Sequence, residues 1–296
     1  MTGMMMQLDP YPPRVKMDIP DHAGLLKKLA SLPPFHTTAL RLLSISTESE
    51  TAIEDYENVF KSDPAMAAEL LLAANSVEFG LMTRVNCIHH AVTLLGLDRV
   101  NSLSATIAMR QYMSQTPRLK VMRPLWAHSI ATAVIAETLG HIRGFPVSGL
   151  YTAGLVHDVG RLGLLMATEN RYANLLAEPV AGFEEAAAME REQFGLTHSE
   201  AGAIMAKSWS FPALLCNAIS HHHEEKGQPA DDRLRLVQLA CRGAGALGYE
   251  EHGDSRPGAS VGRLELPPDL RGREALEPAR LVQRIIRLLT TMSGPA

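Results

Sequence analysis

Along most of this chain apolar residues recur three, four and seven positions apart, the spacing of one helical face. Strict alternation of apolar and polar positions, the mark of a half-buried strand, is hard to find. Asp63-Pro64 supplies an N-cap and a first-turn proline to "AMAAELLLAAN", which runs to Asn75. "IHHAVTLLG" reads as a short helix stopped by Gly96. Pro124 opens "PLWAHSIATAVIAETLG", closed at Gly140, and "VSGLYTAGLVHDVG" and "RLGLLMATEN" follow. Thr197-His198-Ser199-Glu200 is a capping box at the head of "HSEAGAIMAKSW", and Pro212 opens "PALLCNAISHHHEE". A final amphipathic helix, about residues 276 to 292, carries Leu281, Ile285, Leu288 and Leu289 on one stripe with arginines opposite, a stripe suited to packing on the bundle. The predicted fold class is all-α, a two-lobed helical bundle.

The organisation follows from the breaks in that pattern. Residues 1–23 read as a loose tail and 24–115 as a first lobe of short helices. After the break at "SQTPRLKVMRP", residues 116–250 form a second lobe of longer helices, 251–275 a Gly- and Pro-rich loop, and 276–296 the last helix. No repeat of fixed period is visible.

Composition excludes more than it assigns. The chain has 296 residues, 46% hydrophobic and 20% charged, which is ordinary globular composition. A net charge of −4, a pI near 6.3 and the absence of a basic helix face argue against a nucleic-acid or anionic-membrane partner. No apolar run approaches the roughly 18–20 residues of a spanning helix, and the N-terminus lacks the basic and apolar regions of an export signal. Cys87, Cys216 and Cys241 are too few and too scattered for a disulfide framework, so reduced thiols and a cytoplasmic location are expected.

The chemistry lies in histidines of the second half. His128 shares a helix face with Ala131, Ile135 and Leu139 and points inward. His157 follows the small residues Ala153 and Gly154, with Asp158 beside it. His198 is the first residue after its cap, His222 and His223 follow Ala218 and Ile219 at helical offsets, and His221 faces solvent. A lone inward histidine is ordinarily a hydrogen-bonded core residue, and histidines at a helix C-terminus often only complement its dipole. Five histidines and an aspartate on four helices are less easily dismissed. Imidazole and carboxylate suit Fe, Mn, Zn or Ni, and helical bundles build such sites from facing helices. His89 and His90 lie far from these residues in sequence and read as surface or packing residues.

His128, the pair His157-Asp158 with Gly160, then His198 and His222-His223-Glu224 resemble the ordered motifs of the HD metal-dependent phosphohydrolase superfamily, above all its HD-GYP branch. "LPPFHTTALRLLSI", "VFKSDPAMAAELLLAANSVEFGL" and "AVTLLGLDRVNSLSATIAM" closely resemble the first lobe of the HDOD (HD-related output domain) family, over about residues 25 to 250 in all. The HD resemblance implies that these positions bind metal, which activates water against a phosphoester. The HDOD resemblance implies a degenerate relative acting in bacterial signalling, mostly without catalysis.

The chain departs from the enzyme pattern where it matters. Cys241 stands where HD enzymes place a late aspartate, Arg161 replaces a lysine, Pro124 sits where some HD-GYP proteins carry a glutamate, and the GYP motif is absent. Cys241 reads as a small buried apolar residue in preference to a thiolate ligand. The expectation is a non-catalytic signalling output module. It works by protein–protein contact or by binding a small molecule, as a monomer or homodimer, with His128, His157, Asp158, His198, His222 and His223 able to hold one divalent ion. The alternative is a metal-dependent phosphohydrolase of a nucleotide or cyclic dinucleotide, with Asp158 in the catalytic centre and Arg161 on phosphate.

Overall fold

Helix α7 (Met122–Arg143) is the axis of the fold. In the computed structural model, which describes residues 22–45, 49–76, 82–116, 120–168, 170–180, 182–224, 231–252 and 266–292, it is buried on every side from Leu125 to Gly140. A helix apolar all round is stable only inside other elements. Around α7 lie α8 (Val147–Val156), α14 (Asp232–Ala246) and the C-terminal α15 (Pro278–Thr291). The stripe of His128, Ala131, Ile135 and Leu139 does face inward, but so do the other faces, because three helices cover them.

A second layer completes the later lobe. The helices α9 (Val159–Thr168), α10 (Asn170–Ala177), α11 (Phe183–Phe194), α12 (His198–Ser208) and α13 (Ala213–His221) follow α8, with α12 packed on both α9 and α13. The earlier lobe comprises α2 (Thr37–Ser44), α3 (Ala52–Lys61), α4 (Pro64–Ala74), α5 (Ile88–Leu95) and α6 (Leu97–Ser114), and α6 joins it to α8. Ahead of them α1 (His22–Ala30) lies against α9 and α12. Among the described residues there is no strand, and no helix is long and apolar enough to cross a membrane.

Local signals in the sequence account for most of the boundaries. The Asp63 carboxylate accepts the Met66 amide at 3.0 Å to start α4, Gly96 separates α5 from α6, and Thr197 and Glu200 form both halves of the capping box on α12. Several boundaries differ from expectation. Helix α8 ends at Val156 and α9 begins at Val159, so His157 and Asp158 fall between helices. Helix α7 begins at Met122, with Pro124 inside its first turn, and ends at Gly144, whose φ of 71° is the left-handed cap. Gly140 instead lies within the helix, where Leu150 packs against it. The stretch expected as loop contains two 3-10 turns, Pro268–Leu270 and Glu274–Leu276, each burying a leucine; residues 253–265 of it lie outside the described residues, as does the tail at 1–21.

Helix α15 packs on α7 through Leu281, Ile285 and Leu288. Burying each such side chain is worth roughly 1.5–3 kcal/mol, against at most about 1 kcal/mol for an exposed pair such as Arg280–Glu274, so burial holds this helix in place. A partly buried pair of Arg284 with Glu137 of α7 adds to it.

The crossing of α9 and α12 is the tightest contact near the site. A Cβ on Gly160 would lie 1.9 Å from the His198 carbonyl oxygen and 2.5 Å from the Gly202 amide nitrogen, both backbone atoms that cannot swing aside. Gly160→Ala is therefore expected to lower stability by about 3 kcal/mol or more, read by urea titration. Gly163→Ala, whose nearest neighbours are the side-chain ends of Met205 and Leu29 and no backbone atom, should cost much less. At Asp63, burial would raise the carboxyl pKa, but the Met66 amide, the Thr38 hydroxyl and His36 outweigh it and hold it below the usual 3.8. The carboxylate thus stabilises the fold above its unfolded pKa and loses that contribution as pH falls through the lower folded value. Asp63→Ala should cost about 1 kcal/mol at neutral pH, and urea melts at pH 3 and below should show the gap to wild type closing.

Candidate metal centre

Each chemically active side chain is set by the end or the crossing of a helix. His128 projects from α7. His157 and Asp158 occupy the two-residue break between α8 and α9, and Gly160 lets α12 approach until His198, at its N-terminus, faces them. His222 and His223 follow the last turn of α13. Cys241 comes from α14, and beyond that helix Gly248, at φ 82°, turns the chain so that the Tyr249 amide bonds back to the Ala244 carbonyl at 3.0 Å. That turn delivers Glu251 to the centre. His221 stays exposed and pairs with Glu224, and His89 lies on the surface beside Glu57.

The hydrogen-bond partners fix the tautomers. His128 Nδ1 donates to the Tyr249 carbonyl at 2.6 Å, His157 Nδ1 to the Gly154 carbonyl at 2.7 Å, and His222 Nδ1 to the Ala218 carbonyl at 3.0 Å. His198 Nδ1 lies 2.9 Å from both Glu190 oxygens. Carbonyl and carboxylate oxygens only accept, so all four rings carry hydrogen on Nδ1 and turn Nε2 inward. Nε2 atoms meet in two pairs, His128 with His157 at 3.1 Å and His198 with His222 at 3.4 Å. Asp158 stands between the pairs, its Oδ1 at 3.3 Å from His198 and 3.2 Å from His222, its Oδ2 at 3.7 Å from His157. Lone pairs and a carboxylate out of water at these separations need a proton or a metal cation between them.

The charges around the centre differ from ring to ring. Burial would lower the pKa of His128, but Glu251 at 2.8 Å and the neighbouring Cys241 outweigh it and raise the value well above 6.5, so a proton on Nε2 serves this pair. Burial, with the adjoining rings, lowers His157 to about 3 and holds His222 and His223 below their ordinary range. Burial also raises the Cys241 thiol. For Asp158 burial acts upward, but Arg161 and His157 prevail and hold the carboxyl well below its usual range. Among the described residues the Asp158 Oδ1 and His223 Nε2 atoms are buried with no hydrogen-bond partner.

Those orphaned atoms lie together. Asp158, His198, His222 and His223 present donors all within 4.8 Å of one another; His128, His157, Cys241 and Glu251 form a second such group. The first group fits a divalent transition ion on the chemistry of its donors, three imidazoles and a carboxylate. Asp158 and Glu190 are buried and Glu251 partly so; against these three carboxylates stand the Arg161 guanidinium and the proton shared by His128 and Glu251, so a cation replacing that proton would meet the remaining negative charge.

Arg161 itself is only 2% exposed. Its Nε donates to Asp158 Oδ2 at 3.1 Å, and its Nη1 lies at 3.2 Å from the Tyr172 hydroxyl, 3.4 Å from Glu190 Oε1 and 3.1 Å from His252 Nε2. Arg161, which the enzyme alternative places on phosphate, here bridges Asp158, Tyr172 of α10 and Glu190 of α11. Beside the centre opens a cavity of about 450 Å³, lined by Phe183, Glu184, Glu185, His222, His223 and Arg242. Phe183 stacks on the His223 ring, centroids 3.7 Å apart.

Four participants escape the sequence reading. Glu190 carries a signal, since it sits four residues from both Ala186 and Phe194 on the buried face of α11. Burial would raise its pKa, but His198 and Arg161 outweigh it and lower the value to about 2. Tyr172, Glu251 and His252 carry none, because only the tertiary fold brings them in.

A provisionally assigned phosphohydrolase from Shewanella amazonensis SB2B superposes with a TM-score of 0.63 at 20% identity, covering 91% of this chain and 96% of its own. A protein provisionally assigned to signal transduction from Marinobacter aquaeolei VT8 superposes at 0.69 with 21% identity, covering 95% of this chain and 68% of its own. An uncharacterized protein of Treponema pallidum (strain Nichols) is 21% identical over 220 residues, 74% of this chain, and the chain spans 42% of that relative's length. At these identities the likeness carries the fold alone. The HDOD domain pattern matches residues 32–225, which take in the first lobe and His128, His157, His198, His222 and His223, and the chain belongs to the HDOD domain family.

Proposed function

We propose that this chain is a non-catalytic bacterial signal-transduction output module, acting by protein–protein contact or by binding a small molecule in the cavity beside His223. The observation that carries the reading is the placement of Arg161. A phosphohydrolase needs a cation free to meet the oxygens on which charge develops. Here the cation at that position is buried and bonded to Asp158, Tyr172 and Glu190. Arg242 lies in the cavity, but Glu184 and Glu185 line the same space, an unfavourable approach for a phosphoester dianion or diester. Asp158, His198, His222 and His223 would hold a divalent ion that ties the α8–α9 break to α12 and α13. Such an ion supplies charge neutralisation and, in an enzyme, an activated water.

A second reading, a metal-dependent phosphohydrolase acting on a nucleotide or cyclic dinucleotide, is favoured by the inward Nε2 atoms and the orphaned Asp158 oxygen. Tag-free protein supplied with Mn²⁺ or Fe²⁺ and given a panel of phosphodiesters, cyclic dinucleotides among them, separates the two. The expected result is no release of product above buffer, with Asp158→Ala indistinguishable from wild type. Turnover that Asp158→Ala abolishes would establish the enzyme and end the module reading.

A further inference from the structure

The donors around His128 form a position of their own. Tyr249 and Glu251 grip the His128 ring from both sides: the Tyr249 carbonyl takes the Nδ1 hydrogen at 2.6 Å, while Glu251 Oε1 lies 2.8 Å from Nε2. Tyr249 is itself buried, and the left-handed Gly248 with the Tyr249–Ala244 bond fixes the turn that precedes it. Glu251 is therefore placed by the backbone of its own segment. On the same Nε2 converge His157 Nε2 at 3.1 Å and Cys241 Sγ at 3.7 Å. All four donors lie within 4.8 Å of one another.

We propose that Glu251, supplied by the segment after α14, together with Cys241 completes a thiolate-containing metal site with His128 and His157, separate from the group around His198. This deepens the reading of the centre as a holder of cations and leaves turnover to the phosphoester assay. Both added donors lie beyond residue 225, where the match to the family ends.

The separations fit the edges of a small tetrahedron. Zinc–nitrogen bonds of about 2.0–2.1 Å and zinc–sulfur bonds of about 2.3 Å imply edges of roughly 3.3 Å between nitrogens and about 3.6 Å between nitrogen and sulfur. The protein has 3.1 and 3.7 Å. The shorter His128–Glu251 contact has the length of a charge-assisted hydrogen bond, and a cation would take the place of its proton. One thiolate, two imidazoles and one carboxylate form a borderline-soft set that selects Zn²⁺, Fe²⁺ or Co²⁺ over Mg²⁺ or Ca²⁺. Neither His128 nor His157 needs to move its ring, since their outer nitrogens are already held by carbonyls, the arrangement that orients a metal-bound histidine.

Cobalt reports the thiolate directly. Co²⁺ titrated into chelator-treated, tag-free protein is expected to give a sulfur-to-metal charge-transfer band in the near ultraviolet. The band should persist in His223→Ala, vanish in Cys241→Ser, and need at least tenfold more Co²⁺ in Glu251→Gln. No band in wild type, a band surviving Cys241→Ser, or a band lost in His223→Ala would overturn the site, and an unchanged titration in Glu251→Gln would remove Glu251 from it. Zinc-edge X-ray absorption on wild-type protein needs no variant. One sulfur neighbour at about 2.3 Å is expected, and a shell of nitrogen and oxygen alone would end the proposal.

Discussion

Imidazole lone pairs and carboxylate oxygens, once withdrawn from water, must share a positive charge, and the second lobe is built around meeting that demand. Asp158 sits between two facing pairs of rings, and every ring is turned by an acceptor on its far side. Glu190 performs this service for His198 and also accepts from the Tyr172 hydroxyl at 2.6 Å. An isolated buried charge would cost several kcal/mol, so each carboxylate is matched to a cation or a ring N–H. The close crossing at Gly160 and the break between α8 and α9 follow from bringing these groups within reach.

Arginine at position 161 is shaped for the partners that surround it. Its planar fork meets Asp158, Tyr172 and Glu190 at once, a task for which the point charge of a lysine is poorly shaped. The guanidinium thereby ties its own helix α9 to α10 and α11.

Fold and centre were unequally legible in the sequence. Helical spacing, the Asp63 and Thr197 caps and the Gly96 stop disclose the helices, because these signals act within one turn of chain. Gly140 misleads because a small residue can serve close packing as well as termination, and here Leu150 decides between them. The histidines are legible since five of them fall on inward or terminal positions. Their grouping is not: whether Cys241 is a packing residue or a neighbour of His128 depends on the orientation of α14 against α7, which no local pattern encodes. Glu251 lies in a stretch rich in Gly, Pro and charge, whose composition predicts only a loop.

The grip of the 249–251 segment on His128 joins residues 121 positions apart in the chain. Loops of that length close at an entropic cost that grows only slowly with length, and the packing of α14 on α7 holds the two ends together. Contacts of such wide separation slow the folding search compared with those inside a helix or between neighbours in sequence. The position of the His128 ring is therefore a property of the assembled lobe: no segment shorter than the span from α7 to the turn after α14 holds both partners of the contact.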